Sequence, residues 1–198
     1  MIKTSFYTKE ELELMPFKSL GKNCRISRNA TFYSLEEIEI GDYVRIDDFC
    51  IISGKIKLGK FSHIAGAAKL YGAGGINIGD FSGVSSNCSI YSANDDFSGN
   101  ALMSTTSGDE FCVQDVGFVH IGKHVIIGSN CVILPESKIN DGVTIGALSL
   151  INGKDLKEWS IYVGTPVKFL KQRPREIVLN QEKLVLEKHY KYGNDKEV

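Results

Sequence analysis

The sequence lacks the features of a membrane-spanning or nucleic-acid-binding protein. No apolar run approaches the ~20 residues that a membrane helix requires. The segment Met1–Pro16 is polar and acidic and has no apolar core of a signal peptide. Acidic and basic side chains nearly cancel, 24 against 23, so no basic excess favours a nucleic acid or a membrane surface as partner. We therefore expect a cytoplasmic protein without membrane insertion and without a nucleic-acid partner.

Cysteine is scarce and irregularly spaced. The five cysteines contain no CxxC pair and their number is odd, so the pattern favours neither a zinc site nor a disulfide framework. Such usage is typical of a reducing compartment. We expect no bound metal. The chain has 198 residues, 42% of them hydrophobic, which suffices for one sizeable core.

The sequence does contain a six-residue repeat of aliphatic residues. This period fits neither a helix, which repeats near 3.6 residues, nor an amphipathic strand, which repeats at 2. It predicts short strands separated by bends, three of which close a triangular coil of about 18 residues. Ile121 should then stack against Ile139, and Ile40 against Leu58. The series comprises Ile40, Ile46, Ile52, Leu58, Ile64, Leu70, Ile78, Val84, Ile90, Ile121, Ile127, Ile133, Ile139, Ile145 and Ile151.

The fourth residue after most of these aliphatics is small or β-branched, as an inward corner requires. Four cysteines occupy this position, so we interpret them as core residues rather than nucleophiles or ligands. These are Cys24, Cys50, Cys88 and Cys131.

Two interruptions divide the repeat. A short glycine-rich insertion separates Leu70 from Ile78, and a much longer one separates Ile90 from Ile121. We place the longer insertion at residues 95–120. A loop of this length on a regular scaffold is usually functional, although a tolerated surface insertion is the alternative.

The two ends of the chain lie outside the repeat. Thr8 and Glu11 form a capping-box pattern that predicts a short helix. The stretch Arg175–Tyr190 predicts a second helix, which we expect to cover the open end of the coils. The predicted organisation is an N-terminal appendage over 1–19, a β-helix domain over 20–173, and a C-terminal helix and tail over 174–198.

Three segments resemble the hexapeptide-repeat acyltransferases. They are Ile121-Gly-Lys-His-Val-Ile-Ile-Gly, Val163-Gly-Thr-Pro-Val-Lys, and Ile90-Tyr-Ser-Ala-Asn-Asp-Asp-Phe-Ser-Gly. The last is similar to a branch of sugar O-acetyltransferases and nucleotide-amino-sugar N-acyltransferases. The resemblance implies a mainly β fold, a left-handed parallel β-helix, and acetyl-CoA or another acyl-CoA as co-substrate. It also implies a homotrimer with active sites between subunits and a role in surface polysaccharide or O-antigen biosynthesis.

The same resemblance implies that coenzyme A lies in a groove near the C-terminal coils. The glycines there have a complete alternative explanation as bends, and the basic residues have one as a solvated tail. Two groups of residues match the family's cofactor positions. The pantetheine arm would contact the backbone of Gly128, Ser129, Gly146 and Ala147, and the phosphates would contact Lys168, Lys171 and Arg173.

Acyl transfer benefits from a base that removes a proton from the acceptor. Histidine suits this role near neutral pH. We prefer His63, which stands one residue before the inward Ile64 and should therefore point outward. His120, where the long insertion rejoins the coil, is a second candidate. We interpret His124 as an outward structural residue and His189 as solvated.

Adjacent carboxylates begin the long insertion. In the branch that this segment resembles, acidic residues contact the amine of the sugar, although such pairs are also common turn formers. Related sequences often carry an acid where this chain has Asn100, which weakens the amino-sugar hypothesis. The predicted catalytic residues are therefore His63, Asp95 and Asp96, and the predicted substrate-binding residues are Ser85, Asn94, Asn100 and His120.

Three functional hypotheses follow. The preferred one is N-acylation of a nucleotide-linked amino sugar, and the alternative within the same class is O-acetylation of a sugar or glycan. The third, of another class, is a non-catalytic β-helix scaffold or binding module, or a metal enzyme of the carbonic-anhydrase type. The metal chemistry requires histidines that cluster at a subunit interface. The four-residue separation of His120 and His124 is not the spacing expected for a site spread over stacked coils.

Overall fold

The computed structural model describes residues 5–103 and 105–191. Between residues 19 and 172 the chain winds into a left-handed parallel β-helix of about 7 turns with three faces. The first face contains Ser19–Leu20, Ile38–Ile40, Val119–Ile121, Lys138–Ile139 and Asp155–Leu156. The second face contains Arg25–Ile26, Arg45–Ile46, His63–Ile64, Gly83–Val84, Ile126–Ile127, Thr144–Ile145, Ser160–Val163 and the antiparallel edge strand Lys168–Gln172. The third face contains Thr31–Tyr33, Ser89–Tyr91, Val132–Ile133 and Leu150–Ile151, and two long strands, Ile51–Leu58 and Lys69–Ile78, turn from the third face into the first.

The predicted stacking register is confirmed. Ile121 pairs with Ile139, and Ile40 pairs with Leu58. Burying each such side chain contributes about 1.5–3 kcal/mol, and backbone hydrogen bonds join every coil to the next. One ladder on the second face is almost completely buried; it consists of Ile26, Ile46, Ile64, Val84, Ile127 and Ile145.

Insertions lengthen individual coils without changing which side chains face inward. Leu20 pairs with Ile40 because the short helical turn Leu35–Glu37 extends the first coil at a corner. The glycine-rich insertion likewise lets Leu58 pair with Ile78. The extra residues remain at corners, so the inward aliphatic side chains still stack from one coil to the next.

The long insertion leaves the coil at the corner between the third and first faces. It begins with the strand Ala93–Asp95, which pairs antiparallel with Gln114–Val116 near its end, and two short helical turns at Thr105–Ser107 and Asp109–Phe111 lie between these strands. The coil resumes at Val119–Ile121. The insertion therefore occupies residues 92–118 rather than the predicted 95–120, because the hairpin starts before Asp95 and Val119 already belongs to the core. We call residues 92–118 the excursion.

An aromatic column fills the corner between the first and second faces. Its members have left-handed backbone angles, and their neighbouring rings lie 4.7–6.0 Å apart. Packing between the rings offsets the cost of a conformation that bulky residues rarely adopt. The column comprises Tyr43, Phe61, Phe81, His124 and Trp159.

The C-terminal helix, α2 (Glu176–Leu186, continued by the π-helical turn Glu187–Lys191), packs along this column. The expectation that it covers the open end of the coils is wrong, because the aromatic corner offers it a continuous apolar strip along the axis. Glu182 contacts the ring of His124 at 3.0 Å, and Tyr190 donates to Asp42 at 2.6 Å. His124 is thus buried rather than outward, and His189 packs on aromatic rings rather than being solvated.

The N-terminal appendage covers the open edge of the first coil. Helix α1 (Lys9–Glu13) has the predicted capping box, in which the Thr8 hydroxyl and the Glu11 carboxylate each accept the other residue's backbone N–H. Leu12 is buried in the core, and the Tyr7 backbone N–H donates to the Ile26 carbonyl at 2.9 Å.

Candidate active site

The second face presents His63 to solvent. Ile64 points into the core, and the His63 side chain, which alternates with it, lies outside and is 45% exposed. Its Nε2 lies 2.8 Å from Oδ2 of Asp47, on the coil below. The predicted outward orientation of His63 is confirmed.

Asp47 has a second partner, the guanidinium of Arg45, whose Nε donates to Oδ1 at 2.6 Å. Burial alone would raise the pKa of Asp47, but hydrogen bonds from Arg45 and His63 outweigh it and lower that pKa below its ordinary value. Asp47 is therefore a carboxylate near neutral pH. The sequence pattern alone did not identify this residue, because the coil register pairs His63 with Arg45 and brings Asp47 to the ring only diagonally.

An open space lies beside His63 on the same face. Gly83 pairs with His63 in the next coil, and a Cβ placed at Gly83 would meet nothing within 4 Å. Ser85 lies two residues further along and also faces outward, and its hydroxyl forms no hydrogen bond within the described residues. Ile126 borders the space from the following coil and is substantially exposed. His63 and Ser85 thus flank one shallow cradle.

The predicted cofactor positions lie along the edge of this face, where small residues stack. The amides of Gly128 and Gly146 are already used, because they donate to the carbonyls of Ile145 and Tyr162. These two N–H groups are therefore engaged within the coil, and the predicted contact of this backbone with the pantetheine arm stays a prediction. Ser129 and Ala147, the residues that follow them, have N–H groups without a partner in the described chain.

The three basic residues near the end of the coil have different environments. Lys168 and Lys171 lie exposed on the edge strand, with no ion pair among the described residues. Arg173 instead donates from Nη1 to the carbonyls of His124 and Gly142, at 2.6 and 2.9 Å, and its guanidinium lies over the Trp159 ring. Arg173 thus acts as a structural clamp in this protomer, and its predicted role in phosphate binding stays a prediction.

The excursion positions its two aspartates differently. Asp96 accepts hydrogen bonds from the Ser98 hydroxyl and from the backbone of Ser98, Asn100 and Ala101. These bonds, the Ser98 hydroxyl first, lower the pKa of Asp96 to about 2. Among the described residues, the Asp95 carboxylate accepts a single hydrogen bond, from Gln114 Nε2 at 3.3 Å. Asp96 therefore holds the turn, whereas Asp95 keeps acceptor capacity for a ligand.

Asn100 and Asn94 also have distinct places. The Asn100 amide donates to the Ser98 hydroxyl at 2.6 Å and helps to close the turn. Asn94 lines a cleft of about 350 Å³ between the hairpin and the adjoining coils. The rest of its lining consists of Asp115, Val116, Leu134, Pro135, Glu136, Asn152 and Gly153.

His120 lies on the first face, where its Nδ1 is 3.5 Å from the Asn77 amide nitrogen. It is therefore separated from the cradle around Gly83. The excursion leaves the corner opposite the second face, so one protomer holds His63 and Ser85 on one side and Asp95 on the other.

Within residues 5–103 and 105–191, no three His, Cys, Asp or Glu side chains cluster as metal ligands, and no helix is long and apolar enough to cross a membrane.

Comparisons with known proteins agree with this geometry. Residues 118–153 match the model of the bacterial transferase hexapeptide family (six repeats). The chain is 39% identical over 171 residues to a dTDP-4-amino-4,6-dideoxy-D-glucose acyltransferase of Escherichia coli, covering 85% of this chain and 88% of the relative. It shares only its fold with a maltose O-acetyltransferase of Clostridium difficile, at 22% identity and a TM-score of 0.54 over 84% of this chain and 75% of the other.

A closer structural match is AntD, an N-acyltransferase from Bacillus cereus solved with dTDP and 3-hydroxybutyryl-CoA. It superposes with a TM-score of 0.90 at 45% identity, over 94% of this chain and all of the other. This chain therefore combines parallel coils, free edge amides and an outward histidine beside an open cradle with 45% identity to AntD. The chain belongs to the hexapeptide-repeat acyltransferase family that includes these E. coli and B. cereus enzymes, and it is an acyltransferase that uses acyl-CoA.

Proposed function

We propose that this acyltransferase transfers an acyl group from acyl-CoA to the amino group of a dTDP-linked 4-amino-4,6-dideoxyhexose. The E. coli relative is named for dTDP-4-amino-4,6-dideoxy-D-glucose. One AntD structure contains dTDP-4-amino-4,6-dideoxyglucose together with coenzyme A, and this chain covers 97% of that protein at 44% identity. Similarity over nearly the whole length supports a common acceptor class.

The observation that carries the proposal is the placement of Ser85 and Asp95. A serine and an aspartate that lie ten positions apart were substituted in AntD structures that contain coenzyme A with dTDP or the amino sugar. Ser85 and Asp95 are also ten positions apart. Ser85 has an unused hydroxyl, and Asp95 has spare acceptor capacity for the hydrogens of an amine. We assign both residues to the acceptor.

The remaining residues of the site divide by role. The free amides of Ser129 and Ala147 would hold the pantetheine arm, and Lys168 and Lys171 would hold the coenzyme's phosphates. His63 is the proposed base. Asn94 lines the cleft beside the hairpin and is the proposed contact for the remainder of the acceptor.

We also propose that the active form is a homotrimer with the site between subunits. Support comes from the opposite placement of the two halves of the site, because a neighbouring protomer's excursion would bring Asp95 to the face that carries Ser85. The excursion also exposes large apolar side chains that a partner would cover. These include Phe97, Leu102, Met103, Phe111, Val113 and Phe118.

A complementation experiment tests this arrangement. Ser85→Ala and Asp95→Ala variants, each impaired alone, are mixed, unfolded and refolded together. If the two residues of one site come from different subunits, random trimers regain about a quarter of wild-type activity, because some sites combine two intact partners. No recovery in mixtures, despite trimers by light scattering, would place both residues of a site in one subunit.

The acceptor is tested with a matched pair of sugars. Release of free thiol from acetyl-CoA and 3-hydroxybutyryl-CoA is followed with dTDP-4-amino-4,6-dideoxyglucose and with dTDP-6-deoxyglucose, which has a hydroxyl in place of the amine. Turnover with the amine only supports N-acylation. Turnover with the hydroxyl sugar alone would convert the assignment to O-acylation, and no turnover with either would refute the acceptor class.

The biological setting is a further proposal. Acyl-CoA and nucleotide sugars are both intracellular metabolites, and three of the five thiols are buried in the core without disulfides. We propose a cytoplasmic enzyme that acts in surface polysaccharide or O-antigen biosynthesis. Accumulation of unacylated nucleotide sugar in a strain that lacks the enzyme tests this placement.

A further inference from the structure

Three side chains on the second face form a connected chain of hydrogen bonds. The guanidinium of Arg45 donates to one oxygen of Asp47, and the other oxygen lies 2.8 Å from Nε2 of His63. The Phe6 ring lies under the same guanidinium at 5.7 Å from its carbon. Each group is therefore held by the next, from the N-terminal appendage to the imidazole.

We propose that Asp47 is the positioning residue of the enzyme: it fixes the ring of His63 so that Nδ1, and not Nε2, accepts the proton of the attacking amine. This inference rests on the proposed function. In this role Asp47 transfers no proton and contacts neither substrate, but it determines which nitrogen of His63 accepts the proton.

The tautomer follows from the partner. Carboxylate oxygens accept hydrogen bonds only, so the nitrogen beside Asp47 must carry a hydrogen. In a neutral imidazole the other nitrogen then has a free lone pair. Asp47 remains anionic because Arg45 supports its charge, and the lowered pKa of its carboxyl agrees with this. The free nitrogen of His63 is therefore Nδ1.

Open space lies beside His63 on the second face. Gly83, the partner of His63 in the next coil, leaves the volume above it open. Ser85 lies on the same outward side, at the diagonal separation of about 7–8 Å that sheets provide. Neither Gly83, Ser85 nor Ile126 carries a charge, so Arg45 and Asp47 are the charged side chains that adjoin the ring in the neighbouring coils.

The amine nitrogen attacks the thioester carbon, a C–N bond forms, and the C–S bond breaks. The proton lost by the nitrogen passes to Nδ1 of His63. It is then delivered to the departing sulfur, so that coenzyme A leaves as the thiol and the imidazole returns to its neutral form.

A double-mutant cycle tests the role of Asp47. We expect Asp47→Asn to lower kcat about 10- to 100-fold in the wild-type background, with KM for both substrates changed less than twofold. In the His63→Ala background the same change should alter kcat less than twofold, because there is no ring left to position. Asp155→Asn, a change in an exposed carboxylate that pairs with Lys138, is the matched control and should leave kcat unchanged.

A spectroscopic measurement separates positioning from general damage. Wild-type protein should show a slowly exchanging, downfield imidazole N–H proton from His63, which Asp47→Ala removes and Asp47→Glu partly restores along with kcat. Absence of this signal in the wild type would overturn the geometry. Equal losses of kcat in both backgrounds of the cycle, or no loss in either, would overturn the role.

The test remains distinct from the test of the acceptor. The cycle is run with whichever acceptor gives turnover, so an O-acylating enzyme would refute the amino-sugar assignment and leave this inference standing. The N–H signal is measured without substrate. A His63→Ala variant that turns over as fast as the wild-type enzyme would refute the positioning role while leaving the reaction itself established.

Discussion

The regular coils and the excursion use opposite means to hold their residues. In the coils, an inward aliphatic at each step is buried and the backbone bonds to the next coil, so position is set by packing along the axis. In the excursion, order comes from polar contacts such as the turn around Asp96, while Phe97 is 88% exposed. The scaffold thus supplies fixed positions for His63 and Ser85, whereas Asp95, the residue proposed to contact the acceptor, lies on a segment ordered by polar contacts.

The strongest test of this contrast compares one core residue with one residue of the excursion. Ile121→Ala should lower the free energy of unfolding by about 2–5 kcal/mol, because it opens a cavity where the coil resumes. Phe97→Ala should change it by less than about 0.5 kcal/mol, because the ring contacts little within the protomer. Urea denaturation of dissociated protomers measures both. Equal losses would show that the excursion is part of the folding core.

The functional side of the contrast is sharpened at Asp95. Asp95→Ala should lower kcat/KM for the amino sugar about 100-fold, since the amine loses its orienting carboxylate. The melting temperature should stay within a few degrees of the wild type, because Asp95 has only one hydrogen bond to lose. Steady-state kinetics and thermal melting measure the two effects. Glu110→Gln, in an exposed residue of the same excursion, is the control and should behave as wild type.

A third test distinguishes structural from cofactor-binding cations near the end of the coil. Arg173→Ala should lower the free energy of unfolding by about 1–3 kcal/mol, because two buried carbonyls lose their donor. Its KM for acyl-CoA should hardly change. Lys171→Ala should do the reverse and raise KM, by an amount that shrinks as salt screens the phosphates. A higher KM for Arg173→Ala than for Lys171→Ala would return Arg173 to the cofactor site.

The smallest expected effect is the loss at low pH of the hydrogen bonds that Asp96 accepts in its turn. The pKa of Asp96 in the folded protein is about 2, below its ordinary 3.8, so its hydrogen bonds stabilise the turn fully above about pH 4. That stabilisation is lost as pH falls through about 2. Carboxyl carbon shifts followed by NMR should give a midpoint near 2 for Asp96, and the Ser98 amide should shift with it. A midpoint near 4 would show that the turn does not hold the carboxylate.

Much of the fold could be predicted from spacing alone. The six-residue period predicted the inward ladder and the pairing of Ile121 with Ile139, because stacking of coils requires the same side chain at the same place in each. The residues of the site were predicted less well. Gly128 and Gly146 were predicted to contact the cofactor through their backbone, but the spacing did not reveal that their amides already donate to the next coil.

The side chains whose surroundings the sequence did not reveal share a cause. Arg173 and His124 are polar residues that a linear pattern places at the surface, yet α2 and the aromatic corner cover them. Asp47 escaped notice because it is sixteen residues from His63, and only the coil register makes the two neighbours. Periodicity reveals which side chains face inward, but it does not reveal which outward side chains touch.

The sequence by itself determined the parallel coil, its register, the inward cysteines and the site of the long insertion, because each follows from a local period that every coil repeats. Only the tertiary structure decided that α2 lies along a corner, that Asp96 holds a turn while Asp95 stays available, and that Asp47 supports His63. Those outcomes depend on contacts between residues far apart in the chain, where the free energy of packing and hydrogen bonding outweighs any local preference.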